Sequence, residues 1–280
     1  MLRSVVLADR RLLVIGGPDR VAFLQGQLTQ DVAIAGAGLG TIAGWADAKG
    51  RLMFAGHLLR IQVDAEDTLA LLVPAEMAET LLKRLRMYVL RAKVTLAIAD
   101  LPILGLFGPP PQADAASVRL HGADDRYLIL GPAAECLRTE TIAGEPADWD
   151  LAEIRAGIPG IVSATAGEFV PQMVNLDLLG GISFTKGCYT GQEIVARLKY
   201  LGRLKRRMLR FSAADEVPAA GAALFVGHSL IGQVVVAAPT PTGSEFLAVI
   251  RLDGLPGPFY LDEAQTRPVR RLELPYEVPV

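Results

Sequence analysis

The sequence predicts an α+β chain that ends in a small antiparallel β-barrel, and three observations carry that reading. Over the first hundred residues the order is strand, helix, strands, helix, strand, which resembles a split βαβ arrangement more than a parallel α/β sheet. A second mixed set of strands and helices begins after Pro102. From about Met208 short apolar runs (LRFS, AALFV, QVVVAA, FLAVIRL, FYL, RRLEL) alternate with Gly and Pro turns, the pattern of a small antiparallel barrel. The expected segments are 1–100, a first α+β subdomain, 101–205, a second, and 206–280, the barrel.

Each element has its own signal. Residues 11–15 (RLLVI) read as a strand stopped by Gly16, Gly17 and Pro18. Asp19 is placed to begin a helix with Val21, Leu24, Leu28 and Val32 on one face. From Thr41 to Val73 the apolar residues are dense and strand-like around a turn at Asp47–Gly50. Ala75 to Leu90 is an amphipathic helix, with Met77, Leu81, Leu82 and Leu85 opposite Lys83, Arg84 and Arg86. Val94–Ile98 returns as a strand, and strands near 103–107, 117–120 and 126–130 lead to a helix from Pro132 to about Thr141. Asp148 is an acceptable N-cap for a further helix carrying Trp149, Ala152 and Ile154. Residues 157–187 are rich in Gly and carry Pro159, Pro171 and Asn175, which marks a functional loop region.

Charge and cysteine count narrow the function classes. Lys plus Arg number 28 against 30 for Asp plus Glu, a net charge of -2, so no strong nucleic-acid binding is expected. A local basic run, Arg197, Lys199, Arg203, Lys205, Arg206, Arg207 and Arg210, is either a solvated face or an anion-binding one. No run reaches the ~18 apolar residues of a membrane span, and the first residues lack a signal-peptide core. With only Cys136 and Cys188, a reducing, cytoplasmic setting is the expectation.

Cys188 sits in a glycine-punctuated loop ahead of a helix-like stretch, with Lys186 upstream and Arg197 downstream. Cations and a helix N-terminus favour the reactive thiolate, whereas an apolar burial site would leave the thiol inert. Spacing alone leaves both open, and it assigns Cys136 to the core. Two cysteines and three scattered histidines (His57, His121, His228) cannot build a zinc or iron–sulfur site within one chain. Gln172, Asn175, Asp177, Gln192 and Glu193 crowd the same segment, and Asp47, Lys49 and Arg51 crown the hairpin tip. Such residues either read the edges of a heterocycle, with Trp149 as a stacking face, or cap loops.

KGCYTGQEIVAR (186–197) resembles the signature of the YgfZ family, relatives of the T protein of the glycine cleavage system. FLQGQLTQDV (23–32), WADAKGR (45–51), RAGIP (155–159) and PQMVNLDLLGGISF (171–184) agree in order and spacing, so the resemblance spans most of the chain. It implies T-protein-like subdomains around a central cavity that binds tetrahydrofolate, closed by the C-terminal barrel. It further implies a part in making or repairing iron–sulfur proteins, with radical-SAM tRNA-modifying enzymes among the client partners. The reactive residues it implies are Cys188 and Lys186. Folate contacts would come from Trp149, Asp47, Lys49, Arg51, Gln172, Asn175, Tyr189, Gln192, Glu193 and Arg197. Arg10 stands where some members carry a second tryptophan.

Two alternatives accompany that reading. A folate-dependent aminomethyltransferase needs a carboxylate beside the folate nitrogen, and Gly50-Arg51-Leu52-Met53-Phe54-Ala55 supplies none where T proteins carry an Asp pair. A non-catalytic folate-sensing scaffold would make Cys188 a structural residue.

Overall fold

The computed structural model describes residues 2–63, 66–108, 117–120, 125–214 and 216–279. In chain order, β1 (Arg3–Val6) and β2 (Arg10–Gly16) precede the short helix α1 (Arg20–Gln25). β3 (Thr41–Ala46), β4 (Leu52–Val63), β5 (Glu66–Pro74), α2 (Ala75–Arg86) and β6 (Thr95–Ala99) follow. Next come β7 (Ile103–Phe107), β8 (Ser117–Arg119), β9 (Arg126–Leu130), α3 (Pro132–Thr139) and β10 (Ile142–Ala143). Helices α4 (Pro146–Arg155) and α5 (Gln192–Tyr200) lead to β11 (Arg206–Ala213), β12 (Ala223–Val226) and β13 (Ser229–Thr240). β14 (Gly243–Arg251), β15 (Phe259–Tyr260) and β16 (Pro268–Leu272) end the chain of elements.

The chain divides into two compact units: Met1–Trp45, Gly56–Pro146 and Gly181–Thr190 form the first, and Ala46–Ala55, Ala147–Gly180 and Gly191–Val280 the second. The first unit carries two five-stranded sheets. In one, ordered β3-β4-β5-β2-β6, the apolar β2 pairs antiparallel with β5 and β6 and buries Leu12, Leu13 and Ile15. Helix α2 packs on β2, β5 and β6 through Met77, Leu81, Leu82 and Leu85, the spacing of a single apolar face. The other sheet runs β10-β1-β7-β9-β8, with β10 parallel to β1 and the remaining pairs antiparallel.

In the second unit, β11-β14-β13-β12-β15-β16 close into a barrel, with β16 returning to β11. Phe211 stacks on Phe246 at 5.6 Å and meets Phe259 edge-on at 5.2 Å inside it. Closure leaves no unpaired edge strand, and each aromatic pair adds ~0.5–1.5 kcal/mol beyond the area it buries.

Several local expectations change. The helix begun near Asp19 stops at Gln25, because Gly26 and the polar run after it break the pattern; Leu28 is buried from a β-bridge to Trp45 and Val32 from a short 3-10 helix, Val32–Ile34. Helix α2 ends at Arg86, so Met87 and Leu90 leave it and stand exposed, while Tyr88 sets its ring edge-on to Trp45 at 6.3 Å. Asp148 lies inside the first turn of α4 rather than capping it, because the fixed φ of Pro146 suits the first helical position. Cys136 is exposed, not core: α3 turns Ala134 inward, which puts Cys136 on its outer face. The apolar residues near the N-terminus form β1, an element the charges around them had hidden. His121 and residues 64–65 lie outside the described residues. Among the described residues no helix is long and apolar enough to cross a membrane.

Candidate functional site

In the first unit, Gly181–Thr190 is stitched to the irregular segment that follows α1. The Thr29 hydroxyl donates to Gly181 O at 2.6 Å and accepts from Gly44 N at 2.9 Å. Ser183 N reaches Thr29 O at 2.9 Å, and Thr190 N reaches Gly26 O at 3.1 Å. Between these fixed points the Lys186 ammonium donates to Leu28 O and to Gln30 O, each at 2.8 Å, and lies 5.0 Å from the Tyr189 ring centroid. Burial lowers the Lys186 ammonium to about 8 against an opposing pull from Asp31. Burial also pushes the Tyr189 phenol up to about 12. Asp31 is itself occupied, accepting from Ala33 N at 3.0 Å and from the Gln25 amide at 2.9 Å. Cys188 is exposed, which removes the reading of it as a buried thiol.

The second unit holds the other candidates. At the hairpin tip the Asp47 carboxylate accepts from Lys49 N and Arg51 N, both at 2.9 Å, so Asp47 caps the turn. The backbone N–H of Gly50, at φ +71°, donates to Asp47 O at 2.9 Å. Gly191, at φ +81°, packs against this tip: a Cβ there would sit 2.6 Å from Asp47 O. Only glycine suits both the positive φ and the close backbone approach. Arg51 donates to Glu168 O at 2.5 Å and leaves the Lys49 side chain exposed beside it.

Past Pro171 a buried polar lattice forms. Gln172 Nε2 donates to Val195 O at 2.7 Å, and Asn175 Nδ2 to Met208 O at 2.8 Å. Asn175 holds φ 61°, a left-handed conformation that asparagine tolerates better than most residues. Arg207 forks onto Asp177 at 2.7 and 3.0 Å and also donates to Gln172 O at 2.9 Å. The half-buried phenol of Tyr276, pushed up to about 12 by desolvation, donates to Gly157 O at 2.8 Å. Two acceptors stay without a hydrogen-bond partner: Gln172 Oε1 and Asn175 Oδ1.

Trp149 is buried on α4, Gln192 is half-buried, and Glu193 and Arg197 are exposed on α5. Lys186, Cys188 and Tyr189 therefore share the first unit, and the remaining candidates share the second. Of the basic run, Arg207 is spent on Asp177 and Arg210 lies 3.7 Å from Glu245, while Arg197, Lys199, Arg203, Lys205 and Arg206 are exposed. Sequence reasoning missed the anchoring work of Thr29, the Asp177–Arg207 pair and Tyr276. The polar run Gln27-Leu28-Thr29-Gln30-Asp31, inside an otherwise apolar spacing, was the available signal for the first.

The fold places the chain among proteins built like the glycine cleavage T protein. The glycine cleavage system aminomethyltransferase T of Bartonella henselae matches with a TM-score of 0.70 over 97% of this chain and 84% of that one, at 14% identity, a likeness of fold alone. The tRNA-modifying protein YgfZ of Klebsiella pneumoniae is 34% identical over 248 residues, covering 79% of this chain and 75% of the relative. Its namesake in Enterobacter sp. is 33% identical over the same shares, and an uncharacterised Haemophilus influenzae protein is 32% identical over 77% of this chain and 75% of its own length. The chain belongs to the YgfZ family. No family model matches it.

Proposed function

We propose that this protein binds tetrahydrofolate in the cytoplasm and acts in the assembly or repair of iron–sulfur enzymes, radical-SAM enzymes that modify tRNA among them, with Cys188 as its reactive group. The observation that carries this reading is the exposed Cys188 thiol on a loop fixed on either side to residues 26–30, in a chain whose relatives are named tRNA-modifying proteins. A fixed, exposed thiol is available to an external protein. Among the described residues no group of three or more His, Cys, Asp or Glu side chains is placed to hold a metal ion, and this reading treats a cluster as cargo of the client. Lys186 is the positioning residue of the loop.

Tetrahydrofolate, when bound, supplies a reduced pterin whose edge carries N–H and amino donors. Gln172 Oε1 and Asn175 Oδ1 are buried acceptors without partners, and such donors are what they lack, so the residues present fit the group. Trp149 would offer a stacking face, with Asp47, Lys49, Arg51, Gln192, Glu193 and Arg197 as further polar contacts. Aminomethyl transfer fits less well: residues 50–55 carry no carboxylate, and the Asp47 carboxylate already caps its turn.

Wild type and Cys188→Ala, expressed in bacteria lacking their own YgfZ-type protein, test the reading through the methylthiolated nucleosides of tRNA. Rescue by wild type alone is expected, with both proteins binding tetrahydrofolate by calorimetry. Rescue by both would sink the role of Cys188, and absence of tetrahydrofolate binding would sink the cofactor.

A further inference from the structure

We propose that the surface of the barrel where β11 begins and β14 ends docks an acidic, aliphatic-bearing segment of a partner protein. This inference stands independently of the folate and Cys188 reading. Arg206 and Arg251 are Cα partners across the β11–β14 ladder. Like charges directly opposite each other weaken an antiparallel pair, so the arrangement has a cost that the barrel does not need. Asp253 binds the Arg251 guanidinium at 2.9 and 2.9 Å and also feels Lys205, whose carbonyl accepts from Leu252 N at 2.9 Å. Lys205 and Arg251 act on Asp253 and Arg206 stands opposite Arg251, so among the described residues three cations share one bonded carboxylate, and the excess calls for an anion from outside.

The same two arginines line a cavity of about 210 Å³ whose other walls include Phe169, Leu230, Ile231 and Val249. Leu230 is 58% exposed, an aliphatic side chain left open to solvent beside a positive cluster. A cavity of this size, lined by Gln233 as well as by apolar side chains, takes an aliphatic side chain beside Leu230, while Arg206 takes a carboxylate next to it. The chemistry continues upstream along the chain, where Tyr200, Leu201 and Arg203 are all exposed. A nucleic-acid backbone would satisfy the arginines, yet it makes no use of the exposed Leu230. Acidic residues interleaved with aliphatic ones satisfy both halves.

The test is fluorescence anisotropy with the full chain and four labelled probes of equal length: an alternating Glu–Leu peptide, an all-Glu peptide, an alternating Gln–Leu peptide and oligouridylate. The Glu–Leu peptide should bind saturably and at least about tenfold more tightly than the other three. Arg206→Glu, which reverses the exposed charge, and Ala223→Leu, which grows into the cavity lining, should each weaken it about tenfold or more. Lys83→Glu on α2, an exposed cation in the first unit, should leave it unchanged; thermal melting checks that each variant is folded. Absence of saturable Glu–Leu binding would overturn the proposal. So would equal binding of the all-Glu peptide, tighter binding of the oligonucleotide, or indifference to both Arg206→Glu and Ala223→Leu in folded protein.

Discussion

The loop that presents Cys188 and the lattice from Gln172 to Asp177 are both held by one cationic side chain, and the two cations differ in kind. Lys186 is a compact ammonium that donates to two backbone carbonyls, with no carboxylate in hydrogen-bond contact and a proton affinity lowered to about 8. Arg207 is a planar fork matched to Asp177 at 2.7 and 3.0 Å, and buried. The first anchor holds a loop whose thiol is exposed; the second holds Gln172 O and Asp177, in a lattice where the Gln172 and Asn175 amides bind Val195 O and Met208 O. A lysine anchor can lose its charge near neutral pH, while an arginine fork cannot. The contrast separates a region that presents a group from one whose backbone is locked by buried hydrogen bonds.

Breaking the locked region should cost the most. Arg207→Ala removes one partner of a buried pair and leaves Asp177 and Gln172 O unanswered, so unfolding in urea should show a loss of ~3–5 kcal/mol. A loss below ~1 kcal/mol would mean that water replaces the fork and the lattice is not closed. Asn175→Ala comes next, at ~1–3 kcal/mol, because it deletes the bond to Met208 O and places a Cβ-branched-free but still chiral residue at φ 61°. Asn175→Gly separates the two causes: it accepts the left-handed backbone and should recover the strain while keeping the hydrogen-bond loss. Equal stability of the two variants would assign the whole effect to the side-chain bond. Either variant also removes the unpartnered Oδ1, so tetrahydrofolate affinity should fall along with stability if that oxygen meets the pterin.

How far the sequence could be read differs between the same two regions. The barrel followed from short apolar runs and turn residues, since period-two burial and Gly/Pro punctuation are local signals. The presence of Cys188, Lys186, Gln172 and Asn175 in the molecule's polar segments was equally visible as composition. Their partners were not: Lys186 reaches carbonyls 158 and 156 positions away, and Arg207 reaches an aspartate 30 positions away. Backbone carbonyls carry no sequence signature, so an anchor that uses them is invisible until the chain is folded. The same limit explains α1, where Leu28 and Val32 satisfy a helical spacing yet lie beyond its end, Leu28 in a bridge to Trp45 and Val32 in a separate 3-10 turn. Cys136 erred for another reason: a lone thiol was assigned by residue habit, whereas Ala134 decides which face of α3 turns inward.

Loosening the presenting region should disturb stability less and the thiol more. Lys186→Met removes both carbonyl bonds but also a half-buried charge, and these effects oppose each other, leaving a net loss of about 1 kcal/mol. With the anchor gone, alkylation of Cys188 by iodoacetamide should change by a few-fold, a readout that a purely structural lysine elsewhere would not move. Cys136, also exposed but on α3, needs replacement by serine so that the measured rate belongs to Cys188 alone. An unchanged rate in folded Lys186→Met would show that Thr29, Ser183 and Thr190 hold the loop by themselves.

The smallest effect sharpens the comparison through pH. Lys186 binds its proton less tightly in the folded chain, at about 8, than in the unfolded chain, where lysine titrates near ~10.4. Between those values the unfolded state carries more protons, so the contribution of this residue to stability rises with pH. Below about 8 the folded protein bears the full burden of keeping the ammonium half-buried; above it the neutral amine still has two N–H groups for Leu28 O and Gln30 O. The stability difference between wild type and Lys186→Met, followed by urea unfolding from about pH 7 to about pH 10, should therefore shift progressively in favour of wild type. The matching difference for Arg207→Ala is the control over the same range and should stay flat, since this anchor is a guanidinium rather than an amine. A flat profile for Lys186 as well would mean that its ammonium keeps its proton through the whole range, and the distinction between a titratable anchor and a permanent one would fall.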